Sequence, residues 1–123
     1  MAAWQKSLPW IKPHYAIKSN PYEEVVQDFL EKGSGVDCAS RNEIELSLKL
    51  GASKDDIVYS NPIKNETDLI WAEENGIKLT TADSIDELEK IQKYAHRIIT
   101  GVRVIVVKLY ACPYFDSQTI CYK

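Results

Sequence analysis

The chain has 123 residues, 45% hydrophobic and 27% charged, with a formal net charge of −3. That composition is ordinary for a soluble globular chain and offers no basic face for nucleic acid or an anionic membrane. No apolar run approaches the ~20 residues of a membrane helix, and the amino terminus lacks the charged-then-apolar form of a secretory signal.

The first element is written in Pro13-His14-Tyr15-Ala16-Ile17-Lys18-Ser19-Asn20-Pro21, a short apolar strand that delivers one lysine and then turns. A lysine ending a hydrophobic strand is costly unless its amine leaves the core or has a chemical task. In a partly desolvated pocket such an amine can condense with an aldehyde. Ala16 and Lys18 are two apart and share a face of the strand. A small Ala16 leaves room there for a flat ring, although a barrel core also uses alanine where it tapers.

Further strands centre near Val36, Val58, Leu79 and Val104, about twenty residues apart, as the alternation of apolar runs and helical periodicity indicates. Helices are expected over 22–31, 41–50, 66–74 and 85–94. Ser40-x-x-Glu43 and Ser84-x-x-Glu87 fit the capping box, in which a serine and a glutamate satisfy orphan amides reciprocally. Gly33, Gly51 and Gly76 stand where helices end and a left-handed residue is needed. Gly33-Ser34-Gly35 precedes a strand rather than joining strand to helix, so it reads as a helix end and not a phosphate loop. Alternating strands and helices imply a parallel sheet, and no linker-like stretch divides it.

In parallel barrels chemistry collects where strands end. Lys18, Asp37, Ser40, Glu43, Ser60, Asn61, Thr81 and Asp83 all fall at such ends. Asp37 taken alone reads as a turn residue, and Glu43 divides between cap and pocket lining. Arg103, between Val102 and Val104, must pair if its strand is central. The acidic runs at Glu73-Glu74 and Asp86-Glu87-x-Glu89 read as solvated helix faces. Cys38, Cys112 and Cys121 show neither metal-ligand spacing nor a disulfide framework. With no export signal, the cytoplasm and free thiols are the expectation. Cys38 itself reads as a small buried hydrophobe.

Five segments together resemble one family. The lysine segment is similar to that of ornithine decarboxylases, pyridoxal-phosphate enzymes on an alanine-racemase-like barrel. Gly35-Val36-Asp37-Cys38-Ala39-Ser40-Arg41-Asn42-Glu43-Ile44 fits the family's Gly-x-Asp-Cys-Ala-Ser-x-x-Glu-Ile. Tyr59-Ser60-Asn61-Pro62-Ile63-Lys64 resembles its Tyr-Ala-Asn-Pro-x-Lys, and Thr81-Ala82-Asp83-Ser84 and Arg103 add two further matches. Diaminopimelate decarboxylases usually read closer to Val-Ser-Gly-Gly-Glu and His-Gly-Asn-Asn-Lys at the second and third places. The resemblance runs over 8–106.

The resemblance implies a parallel β/α barrel of the alanine-racemase type. A complete barrel takes about 250 residues, so this chain would hold about four and a half of its units, as a partial cofactor-binding domain at 1–107 and an unmatched tail at 108–123. It implies pyridoxal 5′-phosphate bound through Lys18, with Ala16, Asp37, Glu43 and Arg103 around it and Asp37 paired with Arg103. It implies a basic amino acid as substrate, ornithine giving putrescine in polyamine biosynthesis, and a homodimer in the full-length family. The histidine, glutamate, glycine-rich cradle and catalytic cysteine of that family have no counterpart here, so the chain reads as a truncated form inactive by itself. Two other readings stand beside this one. One is a fragment with no function of its own. The other is a binding protein of the antizyme-inhibitor type, which shares the fold without the cofactor. The joint presence of Lys18, Asp37 and Arg103 argues against the latter. So does the acidity of 66–89, with eight acids against the single base Lys78, because the antizyme-binding segment of animal enzymes is basic.

Overall fold

A computed structural model of the protein describes residues 1–98. Four parallel strands form one sheet in the order β1-β2-β3-β4: β1 His14–Ala16, β2 Gly35–Cys38, β3 Ile57–Tyr59 and β4 Leu79–Thr80. Helix α1 (Ala2–Ser7) precedes the sheet. The remaining helices each follow a strand: α2 Glu23–Glu31, α3 Arg41–Lys49, α4 Glu66–Glu74 and α5 Ile85–Tyr94. Consecutive parallel neighbours need such crossovers, because a parallel strand cannot be reached by a tight hairpin.

The register explains the two faces of the sheet. Tyr15 pairs with Val36 and Val36 with Ile57, while Cys38 pairs with Tyr59 and Tyr59 with Thr80. Apart from the half-buried Tyr15, this set is fully buried, and it packs with Ile17, Val26, Ile44, Leu69, Ala72 and Ile91 in one core. Each aliphatic side chain so buried contributes about 1.5–3 kcal/mol. The alternate set, Ala16, Asp37, Val58 and Leu79, forms the opposite face and is only half-buried. A parallel sheet covered on one side alone is half of a barrel wall or sandwich layer, since such sheets are ordinarily covered on both.

Local chemistry sets the element ends. Ser40 Oγ accepts from the Glu43 amide, and Ser84 Oγ from the Glu87 amide, at the starts of α3 and α5. Gly33, Gly51 and Gly76 take positive φ after α2, α3 and α4, as their positions require. Gly35 is constrained differently. A Cβ there would lie 2.4 Å from the His14 ring and 2.6 Å from the Asp56 carbonyl oxygen, so glycine lets the start of β2 approach the backbone that enters β3.

Two features depart from the sequence reading. The α1 helix was not anticipated; no residue of it is buried, so it carries no strong apolar period. Lys18 does not end β1 but lies two residues beyond it, in a 3₁₀ turn spanning Ile17–Ser19. Ser19 Oγ donates to the Ala16 carbonyl at 2.7 Å and the Asn20 amide to the Ile17 carbonyl at 3.1 Å. These local bonds curl the chain before the lysine, where a strand would have kept it extended. The fifth strand expected near Val104, Arg103 within it, and the tail with Cys112 and Cys121 lie outside the described residues.

Candidate functional site

The carboxyl ends of the four strands define one rim. Lys18 is exposed there, and no hydrogen bond or ion pair with the described residues engages it. The turn that carries it is nevertheless fixed. The Tyr15 hydroxyl donates to the Asn20 carbonyl at 3.0 Å, and the Tyr22 amide to Asn20 Oδ1 at 3.1 Å. Tyr15 is itself held by stacking on Phe29, with ring centroids 4.3 Å apart. A free amine on a braced turn is well suited to covalent work, because little ordering remains to be done on binding.

Ala16 and Asp37 are direct register partners, so the small side chain and the carboxylate lie side by side on the half-covered face. Asp37 belongs to β2 itself rather than to a turn, and its carboxylate accepts no hydrogen bond from a described residue. The plain reading of Asp37 as a locally bonded turn residue is thereby set aside. Glu43 is different. Its Oε2 accepts from the Ala39 amide at 2.6 Å, just ahead of the Ser40 cap, so one of its oxygens is committed to the start of α3. The structure therefore joins Ala16 and Asp37 in register, sets Lys18 just past β1, and gives Glu43 a capping role.

At the far side of the rim the sequence reading missed the largest feature. Lys64 Nζ is fully buried and donates to the carbonyls of Asn61 at 2.9 Å and Thr81 at 2.7 Å, and pairs with Glu87 Oε1 at 2.9 Å. Glu87 Oε1 also accepts from the Lys64 amide at 3.2 Å, while Oε2 pairs with Lys90. Burial pushes the Lys64 amine below its ordinary value. Burial alone would raise the Glu87 carboxyl, but the bonds from Lys90 and Lys64 outweigh it and hold it below the usual range. Glu87 is thus neither a solvated acid nor a reciprocal cap for Ser84. Glu73 departs in the same way, being largely covered and accepting the Arg97 amide at 2.6 Å. The one available signal was that Lys64 closes a matched motif.

Thr81 completes the rim. Its amide donates to the Tyr59 carbonyl and its own carbonyl accepts from Lys64, yet its buried hydroxyl has no partner among the described residues. Cys38 contributes no reactivity: burial pushes its thiol up to about 11, against the opposing hydrogen bond with Ser47 at 3.2 Å. That is an inert core thiol, as its setting in the sequence implied. Among the described residues no cluster of three His, Cys, Asp or Glu is placed to hold a metal ion.

An exposed amine on the turn after β1, a carboxylate beside a small residue, and a polar rim are the groups gathered at this end of the sheet. The family described as pyridoxal-dependent decarboxylase, pyridoxal binding domain, matches residues 1–119. This chain belongs to that family. The chain is 49% identical over 121 residues to a chloroplastic ornithine decarboxylase of Nicotiana glauca, covering 98% of this chain and 26% of that protein. It is also 41% identical over 88 residues to antizyme inhibitor 2 of Xenopus laevis, covering 72% of this chain and 19% of the other. Among solved structures, ornithine decarboxylase from Entamoeba histolytica superposes with a TM-score of 0.78 at 43% identity, over 84% of this chain and 31% of that one. The chain thus spans about a quarter to a third of these two ornithine decarboxylases. Its fold is a portion of their β/α barrel, and the cofactor of its family is pyridoxal phosphate. No helix of the described residues is long and apolar enough to cross a membrane.

Proposed function

We propose that the chain is the lysine-bearing part of a decarboxylase acting on a basic amino acid, with ornithine, giving putrescine, as the favoured substrate. The observation that carries this reading is Lys18, exposed and unpaired among the described residues just beyond β1, next to the in-register pair Ala16 and Asp37. In this reading Lys18 Nζ would hold the cofactor through its aldehyde carbon. The bound cofactor supplies an electron sink for the pair released as carbon dioxide leaves. Ala16 leaves space for its ring. Asp37 faces the same space and pairs with Arg103, as the family resemblance suggests, and Glu43 shapes the wall through α3. In this reading the protein works as a cytoplasmic homodimer.

In this reading the phosphate cradle, the partner for the pyridine nitrogen and the substrate clamp come from other parts of a longer protein, as this chain covers 26% of a relative such as the Nicotiana glauca enzyme. The 123 residues by themselves should therefore release no carbon dioxide from ornithine or lysine. Alignment and fixation of the reacting group account for much of such a rate. Grafting 8–106 into a full-length relative restores those groups, and the chimera should turn over. Within it Lys18→Ala should abolish turnover and Asp37→Ala should weaken cofactor retention. Turnover that survives Lys18→Ala would overturn the assignment of the lysine.

A second reading, a regulatory binding protein, draws support from the likeness to antizyme inhibitor 2. Cofactor uptake decides between the two. A chimera that folds and dimerises but takes up no pyridoxal phosphate at Lys18 would favour the binding protein.

A further inference from the structure

Lys64 and Glu87 are the charged side chains buried in the described structure, with the side chain of Lys64 wholly covered and that of Glu87 2% exposed. A buried ion pair is weak evidence for stability, because desolvating both charges offsets most of their attraction. Fold stability alone therefore gives no strong reason for it to be there. Its connections suggest another task. The three protons of the ammonium go to three different places: the Asn61 carbonyl in the turn after β3, the Thr81 carbonyl in the turn after β4, and the Glu87 carboxylate in the first turn of α5. The Lys64 amide binds the same Glu87 oxygen, closing the array. Among the described residues no backbone hydrogen bond joins the two turns and could replace these links. Ser60 and Thr81, by contrast, are tied back to their neighbouring strands through the carbonyls of Cys38 and Tyr59. Thr81 is thus pinned at both backbone groups with a buried hydroxyl left over.

We propose that the Lys64 ammonium, oriented by Glu87, is a positioning group that clamps the turns after β3 and β4 at a fixed spacing on the rim that receives the cofactor. This rests on the proposed cofactor site, but the clamp itself is a property of the described residues. Lys64 does not touch the reacting atoms. It acts through Asn61 and Thr81.

Two variants separate positioning from stability. Glu87→Gln keeps an acceptor for the Lys64 amide and leaves the ammonium on both carbonyls, but removes its counter-charge. Lys64→Met combined with Glu87→Gln removes the uncompensated charge and the clamp together. Thermal midpoint and exchange of the bonded Ser60 and Thr81 amides are read in the full 123-residue chain and in the chimera, and retention of pyridoxal phosphate on dialysis in the chimera. Glu87→Gln should lower the midpoint yet keep slow exchange and cofactor retention. The double variant should regain midpoint while exchange quickens and cofactor affinity falls by about tenfold to a hundredfold, the range typical when groups supporting a bound centre are lost. A structural role alone predicts that exchange and retention follow the midpoint, and that result would overturn the clamp. A folded double variant with unchanged exchange and retention would overturn it, as would a double variant that cannot fold, since the ammonium would then serve the fold and not the rim. If Glu87→Gln does not fold, the double variant decides by itself. An unsubstituted chimera that takes up no cofactor at Lys18 refutes the site and leaves the exchange result to judge the clamp.

Discussion

Two amines occupy opposite ends of one rim and should differ sharply in reactivity. Lys18 is exposed and unengaged by the described residues, whereas Lys64 is sealed with every proton committed. The depressed affinity of Lys64 for its proton would by itself favour attack on an aldehyde. Access decides otherwise, because an adduct at Lys64 would need three hydrogen bonds broken and a ring admitted into a packed core. Pyridoxal phosphate followed by borohydride should therefore label Lys18 and leave Lys64 unmodified, with exposed Lys78 and half-buried Lys90 as the background. Lys78 is an exposed partner of Asp55 at 2.7 Å and measures that background well. Peptide mapping checks this. Label spread evenly over Lys18, Lys78 and Lys90 would reduce Lys18 to an ordinary surface amine, and label on Lys64 would contradict its enclosure.

At the scale of elements, α5 links the fold to pH through Glu87. Its carboxyl titrates below the ordinary value of 4.5 in the folded state, because Lys90 and Lys64 bond the ionised form more than burial penalises it. A depressed carboxyl contributes stability that is present above its unfolded value and lost as pH falls through its folded one. Lys64 acts with the same sign in the alkaline range: its depressed amine makes stability rise with pH there, as the buried charge is relieved. Asp83 and Lys90 also act on this pair. At pH 7, Glu87→Gln should cost about 3–5 kcal/mol by leaving an uncompensated buried ammonium. The difference from the parent should shrink as pH is lowered below 4.5. Denaturant titrations across that range test it, and a constant difference would show that Glu87 is not ionised in the fold.

Glu87 also marks how far the sequence was legible. Helices α4 and α5 begin and end where periodicity and caps place them, and α2 and α3 differ by a single residue at one end, because caps and apolar spacing are local signals. The partnership of Glu87 with Lys64 spans 23 positions along the chain, and no local pattern encodes it; the serine three residues before Glu87 pointed instead to a reciprocal cap. The rim was legible wherever a motif carried it, as at Lys18 and Asp37. It was illegible where backbone carbonyls do the work, as at Asn61 and Thr81, since every residue has a carbonyl and only folding selects which ones meet.

For the whole molecule, the consequence of one covered face and one half-covered face is association. Ala16, Val58 and Leu79 carry apolar surface on the open side of the sheet, and β1 has a neighbour on one side only among the described residues. Trp10, 77% exposed, and Ile11 add apolar surface beside α1, around a shallow cavity of about 390 Å³ that also includes Trp4 and Leu8. Unpaired strand edges template pairing with another chain, and contiguous apolar surface favours contact. A core of this size also leaves little reserve, since net stability is a small difference between burial and chain entropy. The 123-residue chain on its own should therefore be marginally stable and self-associate, with an unfolding midpoint that rises with protein concentration. Supplying the rest of the barrel in the chimera should cover the open face and abolish that dependence. Sedimentation velocity across a concentration series, paired with thermal melts, measures both. A monodisperse monomer with a sharp, concentration-independent transition would mean that the half-covered sheet is self-sufficient, and the argument from its open face would fail.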